Sequence, residues 1–115
     1  MINDSTLQRL LAFRRERDWE QFHTFKNLAI SVSLEAAELL EHAQWTRDAD
    51  MEGVTSSRRE EICNEIADIA IYLTYMAHDL GLNMDDCVRK KLALNEAKYP
   101  VAKSRGRSDK YDRFD

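Results

Sequence analysis

An all-α fold, a four-helix-bundle-like domain that assembles into an oligomer, is what this sequence predicts, and three observations lead there. Chain breakers are scarce, with three glycines and one proline in 115 residues. Ala, Leu, Glu, Lys and Arg recur throughout, and these residues favour helix over strand. Four stretches read as helices from their apolar spacing and their capping residues. The length suits one domain with a modest core. That domain is expected over residues 1–100, followed by a polar C-terminal tail at 101–115.

The first helix is expected to begin after Asp4 or Ser5, both good N-caps, and to run through Leu7, Leu10, Leu11 and Phe13 towards Asp18. The second covers about Asn27 to Gln44, with apolar residues around most of its circumference, as in a helix buried within a bundle. TRDADMEGVTS then reads as a polar loop. The third helix opens at Ser57 and Glu60, which stand in capping-box spacing, and closes at Gly81, a natural left-handed cap. The fourth starts near Asn83, with Asp85 and Asp86 at its positive end, and stops before Pro100. The charged tail AKSRGRSDKYDRFD is expected to be disordered or to order only against a partner.

A net charge of −4 and a pI near 5.4 give no footprint for wrapping a nucleic-acid duplex, although a local basic patch can still hold phosphate. Cys63 and Cys87 lack Cys-x-x-Cys spacing, so neither a zinc knuckle nor a redox pair is expected; both read as reduced core residues. The start, MINDSTLQRL, lacks a signal pattern, and no apolar run is long enough for a membrane span. No membrane partner is expected, and the cytoplasm is the default compartment.

The second and third helices carry acid where apolar residues belong. Glu35 and Glu38 are three apart and share a face. On a wheel of ~100° per residue, Leu28, Val32 and Leu39 fall within about 60° of Glu35, so that carboxylate interrupts the apolar stripe. Glu65 and Asp68 repeat the device, with Glu61 and Tyr72 on the same side and Ile62 and Ile69 adjacent. One such pair is usually a solvated face. Two at matching spacing on the two most apolar helices are costly unless cations offset their repulsion or their pKa values rise sharply. A hard divalent cation is the natural counter-charge, because Mg²⁺ prefers carboxylate and water oxygens; Mn²⁺ is a possible substitute. A ferritin-like di-iron site would need Glu-x-x-His, and His42 instead follows Glu38 by four.

The order Glu35-x-x-Glu38 then Glu65-x-x-Asp68 resembles the MazG-like all-α nucleoside triphosphate pyrophosphohydrolases. The flanking text ERDWEQFHTFKNL, EHAQW, EIADIAIYL and KLALNEAKYPV resembles the dCTP pyrophosphatase branch, over about residues 7 to 111. The resemblance implies hydrolysis of the α–β linkage of a nucleoside triphosphate with Mg²⁺, removal of unwanted nucleotides, and assembly as a homo-oligomer, dimer or tetramer. By position it implies that Glu35, Glu38, Glu65 and Asp68 hold the metal, that Trp19, His23 and Trp45 surround base or sugar, and that Tyr72 lies beside the substrate. Two positions depart from the family. Its usual Pro-Arg-Asn-Leu is Phe25-Lys26-Asn27-Leu28 here, keeping a cation without the bidentate fork of Arg, and Leu10 stands where a histidine is frequent.

The implied chemistry needs neutralised phosphates, an oriented leaving group and an activated water, all of which metal ions can support. Either Glu38 or Glu35 is the candidate base. Lys91, Asn95 and Lys98 form an i, i+4, i+7 stripe suited to phosphate, with a solvated lysine face as the alternative. Trp19 and Trp45 are candidates for stacking on a base, with His23 and Asn27 near enough to address its polar edges, and a core role is the alternative for each indole. The competing functions are the same hydrolysis on dUTP or dATP, and a non-catalytic helical oligomer that binds nucleotide or metal.

Overall fold

The structure, a computed structural model, describes residues 2–114. Among the described residues there are α1 (Asp4–Glu16), α2 (Phe25–Glu41), α3 (Met51–Ser57), α4 (Arg59–Asp79), α5 (Met84–Lys98) and α6 (Val101–Ser104). Three 3₁₀ turns, Glu20–Phe22, Asp48–Asp50 and Tyr111–Arg113, complete the order, and no strand is present among the described residues. The all-α expectation therefore holds. Among the described residues no helix is long and apolar enough to cross a membrane.

The chain forms two compact units, Ile2–Gly81 and Leu82–Asp115. In the first, α4 is the central element, and α1, α2 and α3 each pack against it. Helix α1 is capped by Asn3, one residue earlier than expected, whose side chain accepts from Thr6 N at 3.0 Å. After Glu16 the chain reverses through Asp18, which adopts φ +57°. Asp is one of the few L residues that visit this region, since its short side chain bonds locally. Here Asp18 accepts from Gln21 Nε2 through both its backbone and its carboxylate oxygen, at 2.9 and 3.0 Å. Thr24 then caps α2 by accepting from Asn27 N at 3.1 Å, so that helix begins before the expected Asn27.

Two expectations are corrected between α2 and α4. The segment read as a polar loop contains α3. Met51 and Val54, three apart, are its half-buried residues, and this minimal apolar stripe is hard to distinguish from loop composition. Ser57 consequently ends α3 instead of capping α4, whose N-cap Arg58 makes no side-chain cap bond. At the far end Gly81 adopts φ +67° and donates to His78 O, the left-handed stop its sequence position foretells.

Fully buried side chains in this unit are few: Leu28, Tyr75 and Arg14 are 2%, 3% and 6% exposed. Ile30, Leu34 and Leu40 of α2 and Ile66 of α4 are exposed, so one chain leaves apolar surface on helices expected to be buried. Cys63 is also exposed and Cys87 only half-buried, which corrects their assignment to the core; both are free thiols.

In the second unit, Asn83 caps α5 by accepting from Asp86 N at 3.0 Å, and the helix ends at Lys98, before Pro100, as expected. The segment beyond Pro100 differs from its expectation. It forms α6 and a 3₁₀ turn, with Tyr111 and Phe114 each meeting the ring of Tyr99 edge-on at 6.2 and 5.7 Å. Those edge-on aromatic contacts hold the segment to Tyr99, although Tyr99 and Tyr111 stay exposed and Phe114 is half-buried.

Candidate active site

Helices α2 and α4 bring the acidic pairs face to face. One carboxylate oxygen from each of Glu35, Glu38 and Glu65 lies within 4.8 Å of the others. Glu35 and Glu65 are half-buried and Glu38 is exposed, so the cluster opens to solvent on the Glu38 side. The Glu35 carboxyl is pushed up to about 7, first by burial, then by hydrogen bonding with Glu38 and Glu65, and further by the charges of Glu38 and Asp68. The raised value states a physical conflict: the fold crowds more negative charge here than the chain itself neutralises.

Two oxygens make that conflict concrete. Glu35 Oε2 and Glu65 Oε2 are buried without a hydrogen-bond partner. His42 stands nearby, with Nε2 3.8 Å from Glu65 Oε1 and Nδ1 3.8 Å from Glu61 Oε2, both too long for hydrogen bonds. An all-oxygen donor set with orphaned, buried oxygens fits a hard divalent cation, which would satisfy them and lower the pKa of Glu35 at once.

Asp68 connects this cluster to a second feature. It lines a cavity of about 330 Å³ whose other walls are Leu10 and Phe13 of α1, Trp19 and His23 of the following turn, and Ile71, Tyr72 and Tyr75 of α4. The turn at Asp18 is what places Trp19 here, and its indole meets the ring of Phe13 edge-on at 5.6 Å. The cavity is thus an aromatic chamber with a carboxylate in its wall.

Of the residues singled out from the sequence, Glu35, Glu38 and Glu65 converge in the cluster, while Asp68, Trp19, His23 and Tyr72 line the cavity. Leu10 lines it too. Lys26, Asn27 and Trp45 do not. Lys26 is exposed in the first turn of α2, and Asn27 donates through Nδ2 to Phe22 O at 2.9 Å, bracing the turn before the helix. Trp45, just beyond α2, is 89% exposed. In the second unit Lys91 and Lys98 are exposed on α5 and Asn95 is half-buried, with Lys98 Nζ 5.0 Å from the centre of the Tyr111 ring.

Sequence reasoning missed Arg14, Tyr75 and Asp79. Arg14 Nη1 donates to Asp79 Oδ2 at 3.0 Å and Nη2 donates to Asp79 Oδ1, a two-pronged pair joining α1 to α4. The signal was available: Arg14 follows Leu7 and Leu10 at seven and four residues, so it occupies the apolar stripe of α1 just as Glu35 does that of α2.

Fold and site together define an all-helical protein with a carboxylate cluster whose donor set suits a hard cation, placed beside an aromatic cavity. The chain belongs to the MazG-like family, whose model matches residues 30–114. It is 37% identical over 101 residues to dCTP pyrophosphatase 1 of Rattus norvegicus, covering 86% of this chain and 59% of that protein. The protein of the same name from Bos taurus is 39% identical over 101 residues, with 86% and 60% covered. The chain therefore spans about three fifths of the length of these curated relatives. Among solved structures it is similar to a pyrophosphatase from Archaeoglobus fulgidus, at 45% identity and a TM-score of 0.81, over 84% of this chain and 91% of that one.

Proposed function

We propose that this chain is a Mg²⁺-dependent nucleoside triphosphate pyrophosphohydrolase that cleaves dCTP, with water, to dCMP and pyrophosphate. The observation that carries the reading is the continuity of the site: the charge of Asp68 helps to raise the pKa of Glu35, and Asp68 also lines the aromatic cavity. A nucleotide seated with its base in the cavity would therefore direct its phosphates towards the acidic cluster. The names of the relatives from Rattus norvegicus and Bos taurus support the substrate class and the base.

Glu35, Glu38, Glu65 and Asp68 are the residues that would hold the cation, with Mn²⁺ as a substitute. When bound, it supplies charge neutralisation of the phosphates and makes an attacking water more acidic. The chain's own work is threefold. Trp19 stacks on the base and Tyr72 bounds it. Glu35 or Glu38 accepts the proton of the attacking water. Lys91, Asn95 and Lys98, a shared stripe on α5, are assigned to phosphate on the family resemblance, and Lys26 adds a cation at the start of α2. Trp45 and Asn27 are retained as substrate contacts on the strength of the family pattern alone.

The cavity of about 330 Å³ has room for a nucleotide base, and the names of the relatives favour a pyrimidine. The exposed Ile30, Leu34 and Leu40 of α2 and Ile66 of α4 support assembly as a dimer or tetramer, because a single chain leaves them in water. Cytoplasmic nucleotide-pool cleaning is the role we assign.

The deciding experiment incubates purified protein with each of the four dNTPs and with Mg²⁺ or Mn²⁺, detecting pyrophosphate separately from orthophosphate. Pyrophosphate release with dCTP preferred is expected. Orthophosphate as the first product overturns the chemistry, equal kcat/KM for dATP and dCTP overturns the base preference, and light scattering of a micromolar monomer overturns the assembly.

A further inference from the structure

Arg14 is an unusual group to find inside a small helical unit. Its side chain is only 7% exposed, yet it carries a permanent charge. Asp79 grips two of its nitrogens, and the guanidinium lies over the ring of Tyr75 at 4.7 Å. Tyr75 is itself held, donating through its hydroxyl to Leu10 O at 2.7 Å. Arg14 therefore has little freedom, and one nitrogen of this fixed group, Nη1, stands 3.5 Å from Nδ1 of His23.

Guanidinium nitrogens only donate, so the His23 nitrogen that faces Nη1 must accept. A proton on Nδ1 would set two N–H groups head to head. The ring can then carry its single proton only on Nε2. One further fact agrees with a neutral ring. Burial, and secondly the charge of Arg14, hold the pKa of His23 below its ordinary value, outweighing the opposing charges of Asp79 and Glu20. The ring of Tyr75 lies 5.0 Å away at a tilt of 41° and limits the imidazole's movement. His23 lines the cavity, and with Nδ1 occupied by Arg14 its remaining polar atom is the Nε2–H.

We infer that Arg14, clamped by Asp79, is a positioning residue that locks His23 in the Nε2–H tautomer, so that the cavity presents one fixed imidazole donor to a hydrogen-bond acceptor on the substrate's base. This rests on the hydrolase reading above for its substrate and deepens it. The acceptor edge of a pyrimidine, a ring nitrogen or a ring carbonyl, meets the Nε2–H; an amino group presented there meets a second donor and is rejected.

The first test needs no turnover. In ¹⁵N-labelled, metal-free protein, long-range proton–nitrogen correlation spectra report which imidazole nitrogen is protonated, with His23→Gln assigning the signals. The expected pattern has Nε2 protonated and Nδ1 bare; a protonated Nδ1 overturns the proposal. The second test is Arg14→Met, which keeps the apolar stem and removes the donors. His23 should then populate both tautomers. KM for dCTP should rise by roughly 2- to 10-fold, the worth of one hydrogen bond, with a much smaller change in kcat, because the contact is equal in ground and transition states. An unchanged tautomer and KM overturn the clamp. Should Arg14→Met not fold, Asp79→Asn retains the guanidinium while loosening its grip, and the same two readouts must move in the same directions. A protein that shows the locked tautomer and hydrolyses no nucleotide supports the clamp and overturns the hydrolase reading.

Discussion

Helix α4 meets charge on two neighbours, and the two encounters are resolved in opposite ways. Against α2, Glu35, Glu38 and Glu65 converge with like sign, two of their oxygens are orphaned, and the pKa of Glu35 climbs to about 7. Against α1, Arg14 and Asp79 satisfy each other; hydrogen bonding between them holds the Asp79 carboxyl below its ordinary value and raises Arg14 above its own. The first arrangement needs a proton on Glu35 or an outside cation to offset its charge. The second is complete within the chain. A pair that neutralises itself belongs to the scaffold, whereas a partly buried cluster that cannot do so is a candidate for where a ligand enters.

The largest effect should come from the unresolved cluster. Glu38→Gln is expected to lower kcat by at least ~10²-fold, the loss typical of removing one preorganised electrostatic group, while circular dichroism stays that of a folded helical protein. Its metal-free melting temperature should not fall, since the substitution removes a repelling charge. A variant that unfolds yet keeps its activity per folded molecule would show that these acids are structural.

The aromatic wall comes next. Trp19→Ala should weaken nucleotide binding by about 1–3 kcal/mol, the usual worth of stacking on one base, and leave cation binding unaffected. Titration calorimetry with a non-hydrolysable dCTP analogue measures the first and Mn²⁺ titration the second. Trp45→Ala sharpens the comparison. Its ring is 89% exposed in one chain, so a loss equal to that of Trp19 requires another chain to cover it.

What the sequence made legible follows from the same contrast. The four acids and Tyr72 stood out because a charge in an apolar stripe, or an aromatic beside it, breaks a periodic pattern, whereas Trp19 and His23 were marked only by the family resemblance. Arg14 broke the stripe of α1 equally, but the residue that explains it, Asp79, is on another helix, and pairing across a fold has no local signature. Helix α3 was lost for a different reason. Seven residues offer only Met51 and Val54 to a periodicity argument, too few to outweigh a polar composition. The stop at Gly81 was readable because its cause, a positive φ at glycine, lies within one residue.

Acid and base should separate the two encounters further. For Glu35 the folded-state pKa lies above the unfolded one, so the native state holds the proton more tightly. Metal-free stability should fall as pH rises from 4.5 towards about 7 and level off beyond. For Asp79 the sign reverses: its contribution is present above the ordinary value of 3.8 and is lost as pH falls through the lower folded value. Melting curves in chelator across this range test both, and Glu35→Gln should remove the decline above pH 4.5. Excess Mg²⁺ should also flatten it, because a cation displaces the proton.

The smallest effect probes the self-sufficient side. Tyr75→Phe removes one hydroxyl that donates to Leu10 O at 2.7 Å, and leaves the ring beneath Arg14 in place. The net worth of such a bond is about 0.5–1.5 kcal/mol, and the carbonyl left behind sits on α1, where no other donor reaches it among the described hydrogen bonds outside the helix. A fall of that size in unfolding free energy is expected, read from urea denaturation with an unchanged m-value. Because the clasp between α1 and α4 contains its own counter-charges, Mg²⁺ should restore none of the lost stability at this position. A Tyr75→Phe deficit that Mg²⁺ does restore would mean that the two encounters on α4 are energetically coupled, and the contrast drawn between them would fail.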